Sequence, residues 1–149
     1  MEKYVRKAEK GDLIRIAEIY IFNYRLNFYP IFKNDEFYFI ELQTDILAES
    51  FERKLGNLFV YDDGAVKGFI ETEKTEIKKL FVEPVLQGNL IGSALLSFAL
   101  ENLKADFLWA LEKNARAIKF YERHGFKLTG EKKLEEDTAE YLICMKKSL

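Results

Sequence analysis

The stretch that decides the fold is Leu80–Leu96, which reads LFVEPVLQGNLIGSALL. An apolar run ends at Pro84, a short loop carries Gly88, and a pattern of helical period begins near Leu90. This order predicts a strand, a glycine-containing turn and a helix in immediate succession. The first turn of such a helix presents backbone N–H groups with no partner inside the helix, and the positive end of the helix dipole lies behind them. The stretch therefore predicts a binding site for an anion, most often a phosphate.

Length and composition indicate one compact domain over residues 1–149. The hydrophobic content of 48% and the charged content of 32% are typical of soluble globular proteins. A formal net charge of -2 argues against a nucleic-acid partner, because such proteins carry a basic excess. No stretch has the apolar length of a membrane span, and the N-terminus has no apolar signal core. We therefore expect a cytoplasmic protein without a membrane partner.

The single cysteine, Cys144, excludes an intrachain disulfide and a cysteine-based zinc site. We expect it to be a buried strand residue and expect no bound metal. His124 is the only histidine, and its position at a predicted helix end indicates a surface residue.

Helical spacing dominates the first third of the chain. A weak alternation over Tyr4–Ala8 predicts an opening strand. Asp12 is then expected to cap a helix that runs to about Phe28 and ends at Pro30. Asn34 and the aspartate after it are expected to cap a second helix. The apolar face of that second helix would comprise Leu42, Ile46, Phe51 and Leu55.

The middle of the chain changes to strands. Leu58–Tyr61 and Ala65–Thr72 are predicted to form a β-hairpin, joined by a turn at Asp62–Gly64. A third strand is expected over Thr75–Val82, where the alternation of apolar residues slips. Either a β-bulge or burial on both faces explains that slip.

The last third alternates helix and strand. The apolar run Phe107–Leu111 is typical of a strand covered on both faces, as in parallel pairing. Asn114 is expected to cap a helix through Arg123, and Gly125 to end it in the left-handed conformation. A final antiparallel pair is predicted, and so is a helix after the glycine turn. The strands of the pair are Phe126–Leu134 and Glu140–Lys146. The helix after the glycine turn has an apolar stripe formed by Ile91, Ala94, Leu95, Phe98, Ala99 and Leu103.

The predicted order is β-α-α-β-β-β-α-β-α-β-β, which places the chain in the α/β (α+β) class. A central β-α-β crossover implies that the strand near Val82 and the strand near Trp109 run parallel. The hairpins make the sheet mixed, with about seven strands flanked by four helices.

Two motifs in this frame resemble the GNAT superfamily, the acetyl-CoA-dependent N-acetyltransferases. The first is Val82–Pro84 followed by Gln87–Ser93, which is similar to the family's Gln/Arg-x-x-Gly-x-Gly/Ala signature after a strand ending Val-x-Pro. The second is Asn114–Phe126, which is similar to the family's Asn-x-x-Ala-x-x-Phe-Tyr-x-x-x-Gly-Phe element. The resemblance implies the GNAT fold and covers roughly the last 90 residues. The first 56 residues fit only by element order.

The resemblance implies that acetyl-CoA is the cofactor. Backbone N–H groups from about Gly88 to Ser93 would bind its pyrophosphate, and the strand ending at Val82 would pair with its pantetheine arm. The alternative is that Gly88 and Gly92 only permit a tight turn and close packing. The residues expected to bind the cofactor are Leu80, Phe81, Val82, Gln87, Gly88, Asn89, Leu90, Ile91, Gly92, Ser93 and Asn114.

Leu90 departs from the family pattern, which usually has glycine there. If Leu90 has helical angles, its N–H stays usable and only its side chain must point away. We expect weaker or altered cofactor binding and no loss of it.

Tyr121 matches the family tyrosine near the thioester sulfur, where it would act as the general acid that protonates the leaving thiolate. The alternative is a core tyrosine. Asn114 matches the family asparagine that hydrogen-bonds the cofactor arm, and a plain helix cap is its alternative.

The implied reaction is direct attack of a primary amine on the thioester in a ternary complex. The amine must lose a proton, and a carboxylate is the usual base. Glu71, Glu73, Glu76 and Glu112 lie on or beside the strands around the expected cleft, with Glu112 or Glu71 preferred.

The acceptor would be a small-molecule or peptide amine, and a homodimer is compatible with the sequence. An aromatic cluster either forms the wall of the acceptor site or packs the first two helices on the sheet. The cluster comprises Tyr24, Phe28, Tyr29, Phe32, Phe37, Tyr38 and Phe39.

The alternative function is a GNAT-like module that binds acyl-CoA without turnover.

Overall fold

A computed structural model describes residues 1–148 as a seven-stranded mixed sheet with helices on both faces. The strands lie in the order β1-β2-β3-β4-β5-β7-β6, and β4 and β5 form the parallel pair. This architecture confirms the predicted α/β class and the predicted parallel crossover. The strands are β1 (Val5–Lys7), β2 (Leu58–Asp62), β3 (Val66–Glu73), β4 (Glu76–Val82), β5 (Phe107–Leu111), β6 (Phe126–Leu134) and β7 (Tyr141–Lys147).

Two helices of the N-terminal part cover one face of the sheet, and two later helices cover the other. Among the described residues, no helix has both the length and the apolar character that crossing a membrane requires. The helices are α1 (Leu13–Asn27), α2 (Tyr29–Phe32), α3 (Thr44–Glu52), α4 (Ile91–Asn102) and α5 (Ala115–Arg123), with a π-helical turn at Phe37–Glu41.

The central strand β3 is buried on both faces, and this divides the core in two. Phe69 faces α1 and α3, where Ile16 and Leu58 pack against the same cluster. Ile70, next in the chain, faces α4 and packs in a cluster with Leu95. These five side chains are fully buried, and β3 pairs with β4 along most of its length.

A β-bulge in β4 accounts for the slip in its apolar alternation. Glu71 of β3 pairs with Lys79, whereas Thr72 pairs with Ile77, so Lys78 is one extra residue on β4. Because a bulge changes which face the following side chains occupy, Lys79 lies on the α1 face of the sheet.

Strands β4 and β5 diverge soon after they meet. They pair only at Glu76 with Phe107 and at Ile77 with Leu108. The rest of β4, from Lys78 to its end, has no strand on the β5 side. The sheet therefore opens into a gap between two of its own central strands.

The sequence-based account of the N-terminal helices was partly wrong. The expected second helix is broken. Asn34 Oδ1 accepts a hydrogen bond from Phe37 N (3.1 Å) at the start of the π-helical turn, and extended backbone at Leu42 and Gln43 precedes α3. Ile46, expected on the apolar face, is 55% exposed.

The expected helix signals at Asp12 and Pro30 also have other roles. Asp12 accepts a hydrogen bond from Glu9 N and pairs with Arg6 (2.8 Å), without capping α1. Pro30 lies in the first turn of α2, where its missing N–H leaves no helical bond unmade.

Candidate active site

The gap between β4 and β5 exposes backbone hydrogen-bonding groups of β4. Glu83 N donates to Lys67 O across the β3–β4 ladder (2.8 Å). Hydrogen-bonded pairs alternate along an antiparallel ladder, so Leu80 and Val82 turn their backbone groups toward β5. Since β5 has diverged there, Leu80 offers a free N–H and a free carbonyl to a ligand.

Phe81 does not offer its backbone to the gap. In the alternating ladder its N–H and carbonyl face Phe69 on β3. Its ring packs on the α1 face, with its centroid 5.9 Å from that of Tyr20 and 5.8 Å from that of Tyr24. A ligand in the gap can therefore meet the backbone of β4 only at alternate residues.

The first turn of α4 lies just beyond β4 and supplies further donors. The N–H groups of Ile91, Gly92 and Ser93 have no acceptor within the helix. Gly88, at φ +93, lets the preceding loop turn into this helix, and Asn89 N donates weakly to Leu86 O (3.3 Å). The helix start thus has the geometry of an anion site, with the Asn89 N–H already used in the loop.

Gly92 also permits close packing of α4 on α5. A Cβ at this position would lie 3.4 Å from the ring of Phe120 and 3.7 Å from Val82. The packing interpretation of Gly92 is therefore confirmed, and this packing fixes the helix whose first amides are free. Binding of the cofactor by those amides stays a prediction.

Leu90 is in the left-handed conformation, at φ +66 and ψ +6, and its side chain is 63% exposed. The condition of helical angles at Leu90 is therefore not met, because the loop enters α4 through a backbone state that glycine adopts without strain. The side chain is thus mostly exposed to solvent, at the residue just before the free amides of Ile91 and Gly92.

A buried asparagine that the sequence analysis missed connects α1 to both β4 and the glycine loop. Asn23 is 1% exposed, and its Nδ2 donates to Val82 O and to Ile19 O, both at 2.9 Å. Its Oδ1 accepts from Gln87 Nε2 (3.0 Å). The Gln87 side chain therefore faces inward, and the Val82 carbonyl is already bonded. The one sequence signal for this role is that Asn23 is polar at a position of α1 whose other buried residues are apolar.

A cleft of about 760 Å³ passes through the gap and joins both faces of the sheet. We name its two halves after the ligands that the resemblance implies for them. The half that we call the cofactor half is lined by Leu80, Ala110, Asn114, Ala117 and Tyr121. The half that we call the acceptor half is lined by Lys79, Phe81 and the rings of Tyr20, Tyr24, Phe28, Phe32, Phe37 and Tyr38.

Asn114 and Tyr121 both line this cleft, at opposite ends of α5. Asn114 Oδ1 accepts from Ala117 N (3.2 Å), which confirms the predicted helix cap. Tyr121 packs its ring against Phe120 and Phe126, and burial raises the pKa of its phenol. The phenol is therefore protonated at neutral pH and can donate a hydrogen bond or a proton.

The aromatic cluster packs beside α1, as one of its two interpretations predicts, and it also borders the cleft. Its rings pack with Ile21 and Leu42 into a small core beside α1, and most of them also border the cleft. Tyr29 and Phe39 are not among the residues that border it, and Phe39 is exposed. Burial raises the pKa of Tyr38 to about 12, so its hydroxyl stays protonated at neutral pH.

The four carboxylates considered as bases lie in different places. Glu112 is half-exposed, pairs with Lys132 (3.0 Å) and does not line the cleft. Glu73 is exposed and also lies outside it. Glu76 borders the cleft, at the end of β4 where β5 is still paired.

Glu71 is the buried member of this set, at 2% exposure. Its Oε1 lies 3.0 Å from Lys79 Nζ, and its Oε2 lies 3.8 Å from Lys54 Nζ. Burial lowers the pKa of Lys79, partly against the pull of Glu71. The sequence did not indicate this pair, since its partners are eight residues apart on two strands.

His124 is half-buried, contrary to its expected surface position. Its Nδ1 lies 2.8 Å from Phe120 O and its Nε2 lies 3.0 Å from Ser93 Oγ. Because a carbonyl can only accept, Nδ1 carries the proton in the neutral ring, and Ser93 Oγ donates to Nε2. His124 thus links the end of α5 to the first turn of α4. Cys144 is buried in β7, as predicted.

Comparison with known proteins identifies the family. A family model described as an acetyltransferase (GNAT) domain matches residues 54–128, which is half of the chain. An uncharacterized N-acetyltransferase of Methanocaldococcus jannaschii is 30% identical over 142 residues, a match that covers 82% of this chain and 59% of that protein. The chain therefore spans less than two thirds of the length of this curated relative.

Two solved structures have the same fold. The PaiA N-acetyltransferase of Thermoplasma acidophilum, in complex with coenzyme A, has a TM-score of 0.76 at 20% sequence identity. The match covers 97% of this chain and 98% of the PaiA chain. YncA of Salmonella typhimurium, solved with its cofactor acetyl-CoA, has a TM-score of 0.68 at 21% sequence identity. The match covers 95% of this chain and 91% of the YncA chain. By its sequence match and its fold, the chain belongs to the GNAT acetyltransferase family.

Proposed function

We propose that this protein transfers the acetyl group of acetyl-CoA to a primary amine by direct attack in a ternary complex. The observation that carries the proposal is the gap between β4 and β5, where Leu80 has free backbone groups beside the unpaired amides of α4. A small-molecule or peptide amine is the acceptor, in keeping with the family.

The backbone of the cofactor half fits coenzyme A without any basic side chain. The amides of Ile91, Gly92 and Ser93 bind the pyrophosphate, helped by the dipole of α4. Leu80 bonds the pantetheine arm as a strand would, while the Val82 carbonyl is held by Asn23. We expect no cofactor contact from Gln87 Nε2, which donates to Asn23, or from the Phe81 backbone, which pairs with Phe69 on β3.

Two of the groups that the reaction needs, the Leu80 backbone and the Tyr121 phenol, belong to residues that line the cofactor half of the cleft. A free N–H on β4 stabilises the negative charge that develops on the thioester carbonyl oxygen. Tyr121, kept protonated by burial, gives its proton to the departing thiolate. When bound, acetyl-CoA supplies the activated acetyl group, and the chain supplies orientation and proton transfer.

A thiol-release assay tests this function. The purified protein is mixed with acetyl-CoA and a panel of primary amines, namely diamines, amino sugars and short peptides. Amine-dependent release of coenzyme A, with an acetylated amine detected by mass spectrometry, is the expected result. Cofactor binding, seen as a rise in melting temperature, without release on any amine would favour the alternative of an acyl-CoA-binding module.

A further inference from the structure

Lys79 is a charged residue in the aromatic wall of the acceptor half. It follows the bulge on β4, so its side chain lies on the α1 face, one residue before the Leu80 backbone that faces the gap. The side chain is 17% exposed and borders the cleft. Its Nζ lies 5.8 Å from the ring of Phe51, against which Tyr20 packs edge-on at 5.5 Å. The chain thus places an ammonium group among rings, next to the gap that receives the thioester in the proposed reaction.

The partners of Lys79 keep it charged and hold it in place. Its Nζ donates to Oε1 of the buried Glu71 at 3.0 Å, and this pairing favours the ammonium form against the effect of burial. Lys54 Nζ lies 3.8 Å from the other oxygen of the same carboxylate. Two lysines therefore share one buried carboxylate, which leaves one positive charge uncompensated. Because an ammonium group has three N–H donors, Lys79 keeps donors for a ligand in the cleft.

The phenols of the acceptor half add hydrogen-bond donors without adding negative charge. Burial raises the pKa values of Tyr20 and Tyr24, and it raises the pKa of Tyr38 to about 12. All three phenols are therefore neutral at physiological pH, and a neutral phenol can donate a hydrogen bond to an anion. An anionic group that enters this wall is offered an ammonium group and hydroxyl donors.

The carboxylates that border the cleft come from other segments of the chain. Glu76 lies at the start of β4, and its Oε2 is 3.8 Å from Lys78 Nζ. The acidic residues Glu135–Asp137 lie between β6 and β7. The cleft therefore has a positive group in its aromatic wall and negative groups elsewhere on its border. This charge distribution is complementary to a ligand that carries one charge of each sign.

We infer that the acceptor of the proposed reaction is an α-amino acid whose carboxylate is bound by Lys79. The amino and carboxyl groups of such a ligand are attached to the same carbon, so a carboxylate held beside Leu80 brings the amino group to the gap. An apolar side chain of the ligand packs on the rings of Phe28 and Phe32. Glu71 is a positioning residue that acts through Lys79. This inference rests on the proposed function.

The test compares L-amino acids with the amines that lack only their carboxyl group. L-leucine is paired with isopentylamine and L-phenylalanine with phenethylamine, so each pair has the same side chain and a primary amino group. We expect kcat/KM of the wild type to favour the amino acid by about 10- to 100-fold, the scale of a charge-assisted hydrogen bond. Equal or faster turnover of the decarboxylated amines would overturn the inference and leave the proposed function in place. If no amine releases thiol, the proposed function itself fails.

Lys79→Met removes the charge and keeps the aliphatic length of the side chain. We expect the preference for the amino acid to fall by about 10- to 100-fold, mainly through KM for the amino acid. The intrinsic reactivities of the two amines cancel when this ratio is compared between enzymes. Because the change leaves Glu71 buried without its nearer partner, Glu71→Gln/Lys79→Met is the second variant, in which both members of the pair are neutral. An equal loss for amino acid and amine in the folded variant would reduce Lys79 to a structural residue and overturn the inference.

Lys78→Met is the matched control. It makes the same substitution at the preceding residue of β4, which also borders the cleft but pairs with Glu76. We expect it to keep the wild-type preference for the amino acid. If the preference fell as far in Lys78→Met as in Lys79→Met, the net charge of the cleft would account for it, and direct binding of the carboxylate by Lys79 would be refuted.

Discussion

The two halves of the cleft are built from different parts of the chain. In the cofactor half, the groups that we propose bind the ligand are backbone groups, namely those of Leu80 and of the first turn of α4. In the acceptor half, they are side chains, such as the rings of Tyr24 and Phe28 and the Lys79–Glu71 pair. Backbone donors are fixed once a strand, turn and helix form, whereas side-chain walls depend on how distant segments pack. The first half can therefore be shared by a whole family, while the second can differ in each member.

The largest effect is expected from Tyr121→Phe, which removes one oxygen from the cofactor half. The ring keeps its packing on Phe120 and Phe126. We expect kcat to fall by about 10²–10⁴-fold, the usual contribution of a proton donor. Steady-state thiol release measures this effect. Unchanged kcat would make Tyr121 a core residue only, and unchanged coenzyme A affinity by calorimetry is the control.

Asn23→Ala is expected to affect both halves, because Asn23 connects them. The change leaves the buried Val82 carbonyl and the Gln87 amide without a partner. We expect the free energy of unfolding to fall by about 2 kcal/mol. The KM values for acetyl-CoA and for the amine should rise together.

Denaturant unfolding and two-substrate kinetics measure these two effects. Asn27→Ala is the control, since Asn27 reaches Asn23 only at 3.5 Å. If Asn23→Ala and Asn27→Ala had the same free energy of unfolding and the same KM values, the hydrogen bonds of Asn23 would not contribute to stability or to binding in either half.

Phe28→Leu is expected to change the acceptor half alone. Phe28 borders the cleft and meets the ring of Tyr24 edge-on at 4.7 Å. Loss of this wall should change kcat/KM for an apolar amine by about tenfold, the scale on which a pocket distinguishes small apolar groups. The affinity for coenzyme A, measured by calorimetry, should stay the same. An equal loss of coenzyme A affinity would mean that the two halves are not separate.

The smallest effect is expected from Leu90→Gly, which relieves the left-handed backbone before α4. Relief of that strain is worth about 1–2 kcal/mol and is partly offset by the greater freedom of glycine in the unfolded chain. We expect the free energy of unfolding to rise by about 1 kcal/mol or less. Coenzyme A affinity should rise several-fold. Denaturant unfolding and calorimetry measure the two, and a clear loss of either would show that Leu90 contributes more than a strained turn.

The same contrast explains what the sequence could predict. The turn at Gly88, the cap at Asn114 and the run Phe107–Leu111 are local signals, and the structure has each element where its signal lies. The broken helix after Asn34 was missed, because its break at Leu42 depends on packing against α1 and carries no glycine or proline. Short-range patterns therefore predicted the cofactor half better than the acceptor half.

Partners that are distant in the chain could not be predicted from any spacing. Asn23 meets Val82 and Gln87 only because α1 crosses the end of β4. A β-bulge was one of two explanations for the slipped alternation of β4. The choice between them, and the face on which Lys79 lies, required the register with β3. The sequence left the backbone conformation of Leu90 open, and only the backbone angles reveal the left-handed entry into α4.

A crystal structure of the protein with coenzyme A tests the central claim most directly. The account predicts pyrophosphate oxygens within hydrogen-bonding distance of the amides of Ile91, Gly92 and Ser93. It also predicts the pantetheine arm in the gap, bonded to the backbone of Leu80, with its sulfur beside Tyr121. A nucleotide bound elsewhere, with β4 and β5 closed on each other or the gap filled by side chains, would contradict it.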